Sequence, residues 1–131
     1  MRIVLDTNVF CRGFSSRGHF TILSAWRDGR VRIVYSPVIA EEYARVLAEL
    51  SREFPQINGQ PFLDLLARWG ELVKPSPLAG TTCRDPEDVK FIDCLLHSRA
   101  HCLVSGDRDL LEAGIENALI LSPRRFCDLY L

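Results

Sequence analysis

Residues 2–10 read RIVLDTNVF. Ile3, Val4 and Leu5 follow one another with no polar residue between them. That is the composition of a short strand buried on both faces, as in a parallel sheet covered by helices. The strand runs straight into Asp6, Thr7 and Asn8. An aspartate there has two readings. It can cap a following turn, or it can present a carboxylate at the C-terminal tip of the strand, where parallel sheets carry their sites.

Further along the chain, Gly13 and Gly18 lie in a loop, and Phe20, Ile22, Leu23 and Trp26 mark a helix ending near Asp28-Gly29. Residues 31–35, VRIVY, form a second strand. Ser36-Pro37 is an N-cap followed by Pro at the first helical position. The helix it starts reaches about Arg52, with Ile39, Tyr43, Val46, Leu47 and Leu50 at helical spacing. After a break from Pro55 to Pro61, Phe62, Leu65, Leu66 and Trp69 mark a third helix, and 72–73 a short strand. A Pro- and Gly-containing loop spans 75–82. Asp85-Pro86 opens a fourth helix reaching about Arg99. Residues 102–105 are a strand turned by Gly106, residues 108–113 a short helix, 118–121 a strand, and Ser122-Pro123 starts the last helix. Strands alternating with helices predict an α/β fold, a parallel sheet of four or five strands with helices on both faces. With 131 residues, one domain over 1–131 is expected.

Hydrophobic residues make up 47% and charged residues 25% of the chain, which excludes a disordered polar tail. No run approaches the roughly 18 apolar residues of a membrane span, and the N-terminus lacks the apolar core of a signal peptide. Five cysteines (Cys11, Cys83, Cys94, Cys102, Cys127) contain no C-x-x-C pair and read as small buried hydrophobes in a reducing, cytoplasmic setting. The net charge is -1, from 16 basic and 17 acidic residues, a weak overall signature for binding nucleic acid. Acidic metal ligands would themselves lower that total.

The acids after strands and at helix starts carry the functional argument. Asp6 follows the first strand; Asp107 and Asp109 follow the CLVS strand across Gly106. Glu41 and Glu42 lie in the first turns after Ser36-Pro37, and Asp85, Glu87 and Asp88 surround the start of the fourth helix. Each has a structural alternative: a cap for Asp6, Asp85, Asp88 and Asp109, and a solvated helix face for Glu41 and Glu42. Together they predict carboxylates converging at one end of the sheet. Such a cluster repels itself unless a cation intervenes, and hard oxygen donors suit Mg²⁺ or Mn²⁺. His19, His97 and His101 form no zinc pattern, and neither G-x-G-x-x-G nor a phosphate loop occurs. An acidic site of this type most naturally hydrolyses phosphate esters. Thr7, Asn8 and Ser105 are candidates for orienting water or a carboxylate. Arg12, Arg17, Arg84 and Arg108, in or beside the same loops, are candidates for holding phosphate.

The segments IVLDTNVF (3–10), SPVIAEEYARVL (36–47), RDPEDVKFIDCLL (84–96) and LVSGDRDLL (103–111) resemble, in this order, the four acidic motifs of the PIN-domain ribonucleases. They are most similar to the VapC-like toxins of toxin–antitoxin pairs. The resemblance implies an α/β/α sandwich, usually around five parallel strands, and RNA cleavage with Mg²⁺ or Mn²⁺. Carried onto this chain, it makes Asp6, Glu42, Asp88 and Asp107 catalytic metal ligands and Asp109 an auxiliary one, with Thr7, Asn8 and Ser105 in support. It also implies an RNA substrate, an antitoxin protein as partner and a homodimer. For self-association, Phe62, Leu66 and Trp69 of the third helix are the candidate apolar surface. The competing readings are a non-catalytic interaction domain that keeps the fold, and a DNA or structure-specific nuclease.

Overall fold

The run Ile3-Val4-Leu5 is 0% exposed throughout, because β1 (Arg2–Leu5) is the central strand of a five-stranded parallel sheet. The computed structural model describes residues 1–13, 17–75 and 86–131, with 17–20 as backbone. The strand order is β3-β2-β1-β4-β5, where β2 is Arg32–Tyr35, β3 Glu71–Leu72, β4 Cys102–Val104 and β5 Ile120–Leu121. Leu5 registers with Val104 and Ile3 with Ile33. The architecture is an α/β/α sandwich.

The helices are α1 (Thr7–Cys11), α2 (Arg17–Arg27), α3 (Pro37–Glu53), α4 (Gln60–Trp69), α5 (Val89–Ser98), α6 (Arg108–Leu111) and α7 (Pro123–Tyr130). The chain leaves β1 toward β2 and β3 on one side, and later returns to place β4 on the other side of β1. The strand order therefore reverses between β1 and β4. In an open α/β sheet that is where a crevice opens beyond the carboxyl ends of the strands. Asp6 and Ser105 stand at those two ends.

Several local expectations change. The stretch after the first strand, read as loop, begins as the helix α1, with Thr7, Val9, Phe10 and Cys11 buried. Five residues are too few for helical periodicity to register, and the helix is held by its cap and its packing. The third and fifth strands are shorter or shifted, at 71–72 and 120–121. The helix expected from Asp85-Pro86 begins as a 3-10 turn, Pro86–Asp88, before α5. The proposed cap at Asp85 lies outside the described residues, as do Arg84 and Cys83. Asp88 stands at the N-cap of α5 but makes no capping hydrogen bond through its side chain. On α4, Leu66 is 2% exposed and belongs to the monomer core, Phe62 is half-buried, and Trp69 is 49% exposed.

Cys11, Cys94 and Cys102 are buried and unpaired by disulfide. Burial pushes the thiols of Cys94 and Cys102 up to about 12. They behave as small core residues, as their spacing predicted. Among the described residues no helix is long and apolar enough to cross a membrane.

At the N-terminal ends of the strands, Arg2 Nε donates to Glu71 Oε1 at 3.1 Å, and Arg32 Nη1 lies 3.6 Å from the same oxygen. Glu71 thus ties the starts of β1, β2 and β3 together. The hydrogen bond from Arg2 holds its carboxyl below the usual carboxylate range, against the upward push of burial. A lowered folded-state value contributes stability above the unfolded value of 4.5, and loses it as pH falls through the folded value. Glu71→Gln should therefore cost under about 1 kcal/mol at neutral pH, since the partners are partly exposed. Urea titrations at pH 7 and pH 3 check this: the difference from the parent protein should shrink at the lower pH.

Candidate active site

Asp6 caps the helix that follows it with one carboxylate oxygen and joins the neighbouring strand tip with the other. Its backbone N–H donates to the Val104 carbonyl at 3.0 Å and extends the β1–β4 ladder by one residue. Oδ1 accepts from the Val9 N–H at 2.8 Å, which caps α1. Oδ2 accepts from the Ser105 hydroxyl. The side chain is 7% exposed and Ser105 0%, so this contact between strand tips is shielded from water. Ser105 Oγ in turn accepts the Asp107 N–H at 3.0 Å. Asp107 Oδ1 accepts the Asp109 N–H at 2.8 Å and caps α6. The cap of this short helix is thus Asp107, not Asp109, which lies in the first turn. A hydrogen-bonded chain runs from Asp6 through Ser105 to Asp107, across the reversal of strand order.

Glu42 joins from α3. Thr7 Oγ1 donates to Glu42 Oε2, which sets Glu42 beside the residue that follows Asp6. Glu41 is exposed and Glu42 half-buried, because Tyr43, one step further on the helix, is fully buried. Tyr43 stacks on Phe10 with ring centroids 4.1 Å apart and 10° between planes, and its hydroxyl donates to the Leu5 carbonyl at 2.5 Å. The ring forms part of the apolar floor under the two acids. Burial, with the Asp6 and Glu42 carboxylates adding to it, raises the phenol well above its ordinary value. Cys11 Sγ donates to the Tyr43 carbonyl at 3.6 Å, and burial, with Glu42 and Asp6 adding to it, pushes its thiol up to about 12. Cys11 and Tyr43 thus both feel the two carboxylates. Tyr43→Phe removes the hydrogen bond that fixes the carbonyl just before Asp6. It should lower stability by about 1–2 kcal/mol in denaturant titrations, the cost of a buried group losing its partner.

Lys90, on the first turn of α5, was not among the residues singled out in the sequence. Its Nζ lies 2.8 Å from Glu42 Oε1 and 3.2 Å from Glu87 Oε2. Burial lowers its pKa, but hydrogen bonds to Glu42 and Glu87 outweigh that, and the ammonium is held above its ordinary value. Asp88, two residues earlier, is half-buried. Asn8 is exposed at the start of α1, and Arg12 and Arg108 are exposed at the end of α1 and the start of α6. The side chain of Arg17 and all of Arg84 lie outside the described residues. Tyr43 entered the sequence reading only as a core aromatic. Lys90 left one signal, its spacing of three from Glu87 beside an acid-rich helix start.

Among the described residues, no three His, Cys, Asp or Glu side chains are grouped so as to hold a metal ion. The donors do fit a hard divalent cation in kind. They are carboxylate and hydroxyl oxygens, and Glu42 already draws a cation, the Lys90 ammonium, to 2.8 Å. What exists is a set of acids each held by neighbours: Asp6 by Val9 and Ser105, Glu42 by Thr7 and Lys90, and Asp107 by Asp109.

No curated protein matches the chain. A chain in the crystal structure of VapBC2 from Rickettsia felis, bound to a DNA fragment from their promoter, superposes with a TM-score of 0.59. The match covers 93% of this chain and 98% of that one at 14% identity, and so speaks for the fold. The family model described as PIN domain matches residues 2–109, a span that contains β1 with Asp6, Glu42 on α3, the start of α5, and β4 with Asp107. The chain belongs to the PIN domain family.

Proposed function

We propose that residues 1–131 form one Mg²⁺- or Mn²⁺-dependent endoribonuclease unit that hydrolyses RNA phosphodiester bonds and acts as the toxin of a toxin–antitoxin pair. Asp6, Glu42, Asp88 and Asp107 would hold the metal, with Asp109 as an auxiliary ligand. The observation that carries this reading is the chain from Asp6 through Ser105 to Asp107 at the reversal of strand order, with Glu42 tied in through Thr7. A fold can be kept for many purposes, but tying acids from three separate segments, Asp6, Glu42 and Asp107, together through hydroxyls at the strand ends serves little structural end. Caps alone would not require Glu42.

When bound, the ion supplies charge neutralisation at the scissile phosphate and an activated water. The chain's own residues do the rest. Ser105 and the Val9 N–H fix both oxygens of Asp6, so this carboxylate meets its ligand without losing side-chain freedom at that moment. Thr7 orients Glu42 in the same way, and Asn8, next in sequence and exposed, would hydrogen-bond an entering water or phosphate. Phe10 and Tyr43 keep water from beneath the acids, which strengthens every charge interaction above them. Arg12 and Arg108, at the rim, would contact phosphates flanking the scissile one. Of the three apolar residues singled out on α4, Trp69 is the exposed one and is suited to a homodimer or to the antitoxin.

The test is cleavage of matched RNA and DNA panels in EDTA, Mg²⁺ and Mn²⁺. RNA cleavage restored by either ion supports the reading. DNA-restricted cleavage replaces it by a DNA nuclease, and no cleavage with measurable partner binding replaces it by an interaction domain.

A further inference from the structure

Both oxygens of Glu42 are occupied. Oε2 accepts the Thr7 hydroxyl, and Oε1 lies 2.8 Å from Lys90 Nζ and 3.7 Å from Arg45 Nη2. The two cations are not equivalent. The Lys90 and Glu42 side chains are 14% and 16% exposed, whereas Arg45 is 61% exposed and already reaches Glu49 at 3.3 Å. Arg45 is therefore screened by solvent, and Lys90 supplies most of the compensating charge. The Lys90 ammonium also stands 3.2 Å from Glu87 Oε2, on a side chain 78% exposed. Phe91 supports it, with its ring centroid 5.5 Å from Nζ.

This arrangement has a consequence for metal entry. A divalent ion approaching Glu42 through Oε1 meets a positive charge already in contact with that oxygen. Two like charges at such a separation repel strongly in a partly dry site. The ammonium does have an alternative on its own helix turn, because swinging toward Glu87 keeps it paired. We propose that Lys90 is the resident counter-cation of Glu42, displaced toward Glu87 by an incoming divalent ion, and that it thereby sets the metal affinity of the site. The proposal rests on the metal-dependent reading above. It gives Lys90 a positioning role: with the ion absent it keeps Glu42 from repelling Asp6, and with the ion present it yields its place.

Mn²⁺ binding by calorimetry, together with thermal unfolding in EDTA and in saturating Mn²⁺, tests this on the full chain and its Lys90→Met, Lys90→Gln, Lys90→Arg and Asp6→Asn variants. Lys90→Met and Lys90→Gln should bind Mn²⁺ at least ~10-fold more tightly than the parent. Their Tm in EDTA should fall by about 4 °C or more, and saturating Mn²⁺ should remove most of that deficit. Lys90→Arg, which keeps the charge, should stay close to the parent. A purely structural lysine would lower the Tm in EDTA and leave Mn²⁺ affinity unchanged or weaker, which overturns the proposal. Two neutral variants keep the comparison intact if one of them folds poorly. Absence of Mn²⁺ binding by the parent, or equal binding by parent and Asp6→Asn, overturns the metal reading and this proposal with it. Parent binding that Asp6→Asn weakens and neutral Lys90 variants leave unaltered overturns only the role of Lys90.

Discussion

Asp6→Asn should reduce RNA cleavage by at least about a hundredfold, on the order of 3 kcal/mol of transition-state stabilisation, while the protein stays folded. The substitution separates the cap that Asp6 forms from the metal-ligand role proposed for it. As a cap, Asp6 needs only an oxygen facing the Val9 N–H at 2.8 Å, and Asn caps helices about as well as Asp. The Ser105 hydroxyl can donate to an amide oxygen or accept from an amide nitrogen, so the second contact adapts. Far-UV circular dichroism and the urea midpoint should change little, because relief of repulsion with Glu42 offsets part of any lost contact. As a metal ligand, Asp6 needs its negative charge, and Asn removes that alone. Near-normal, EDTA-sensitive cleavage by a clean Asn preparation would remove Asp6 from the essential ligands. Cleavage that persists in EDTA would remove the metal mechanism altogether.

The layers of this fold were legible because its strands are short, apolar and buried on both faces. Ile3-Val4-Leu5 and Cys102-Leu103-Val104 are 0% exposed throughout, and neither alternates with polar residues. The caps at Ser36 and Ser122 were legible for a different reason: Ser-Pro is a local signal, and both hydroxyls accept the N–H three residues on. The helix α1 was not legible, since five residues carry no periodicity and its stability comes from Asp6 at one end and buried Phe10 and Cys11 at the other. Pattern set Glu42, unlike Glu41, beside the apolar face that carries Tyr43, but left it evenly open between helix surface and site. What ties it to the site is a contact with Thr7, 35 residues away. The pairing of Lys90 with Glu42 is equally non-local, because it depends on how α5 lies against α3. Sequence thus marked which residues could serve the site, and the packing of helices on the sheet selected their partners.

Ser105 should be the most sensitive residue of the site that carries no charge. Its hydroxyl donates to Asp6 Oδ2 and accepts the Asp107 N–H at 3.0 Å, at 0% exposure. Ser105→Ala removes both contacts at once and puts nothing polar in their place. A buried donor or acceptor that loses its partner costs roughly 1–3 kcal/mol, more for a charged group. The variant should therefore lose about 3 kcal/mol of stability in denaturant titrations. It should also lower cleavage beyond what instability explains, because Oδ2 of Asp6 is then free to rotate away from the strand tip. The two effects can be divided by a double-mutant cycle. If Ser105 acts on catalysis through Asp6, adding Ser105→Ala to Asp6→Asn should reduce the remaining rate little further, since the carboxylate it oriented is already gone. Multiplicative losses, measured on folded protein well below the unfolding midpoint, would mean that Ser105 serves the site by another route, through the backbone of Asp107.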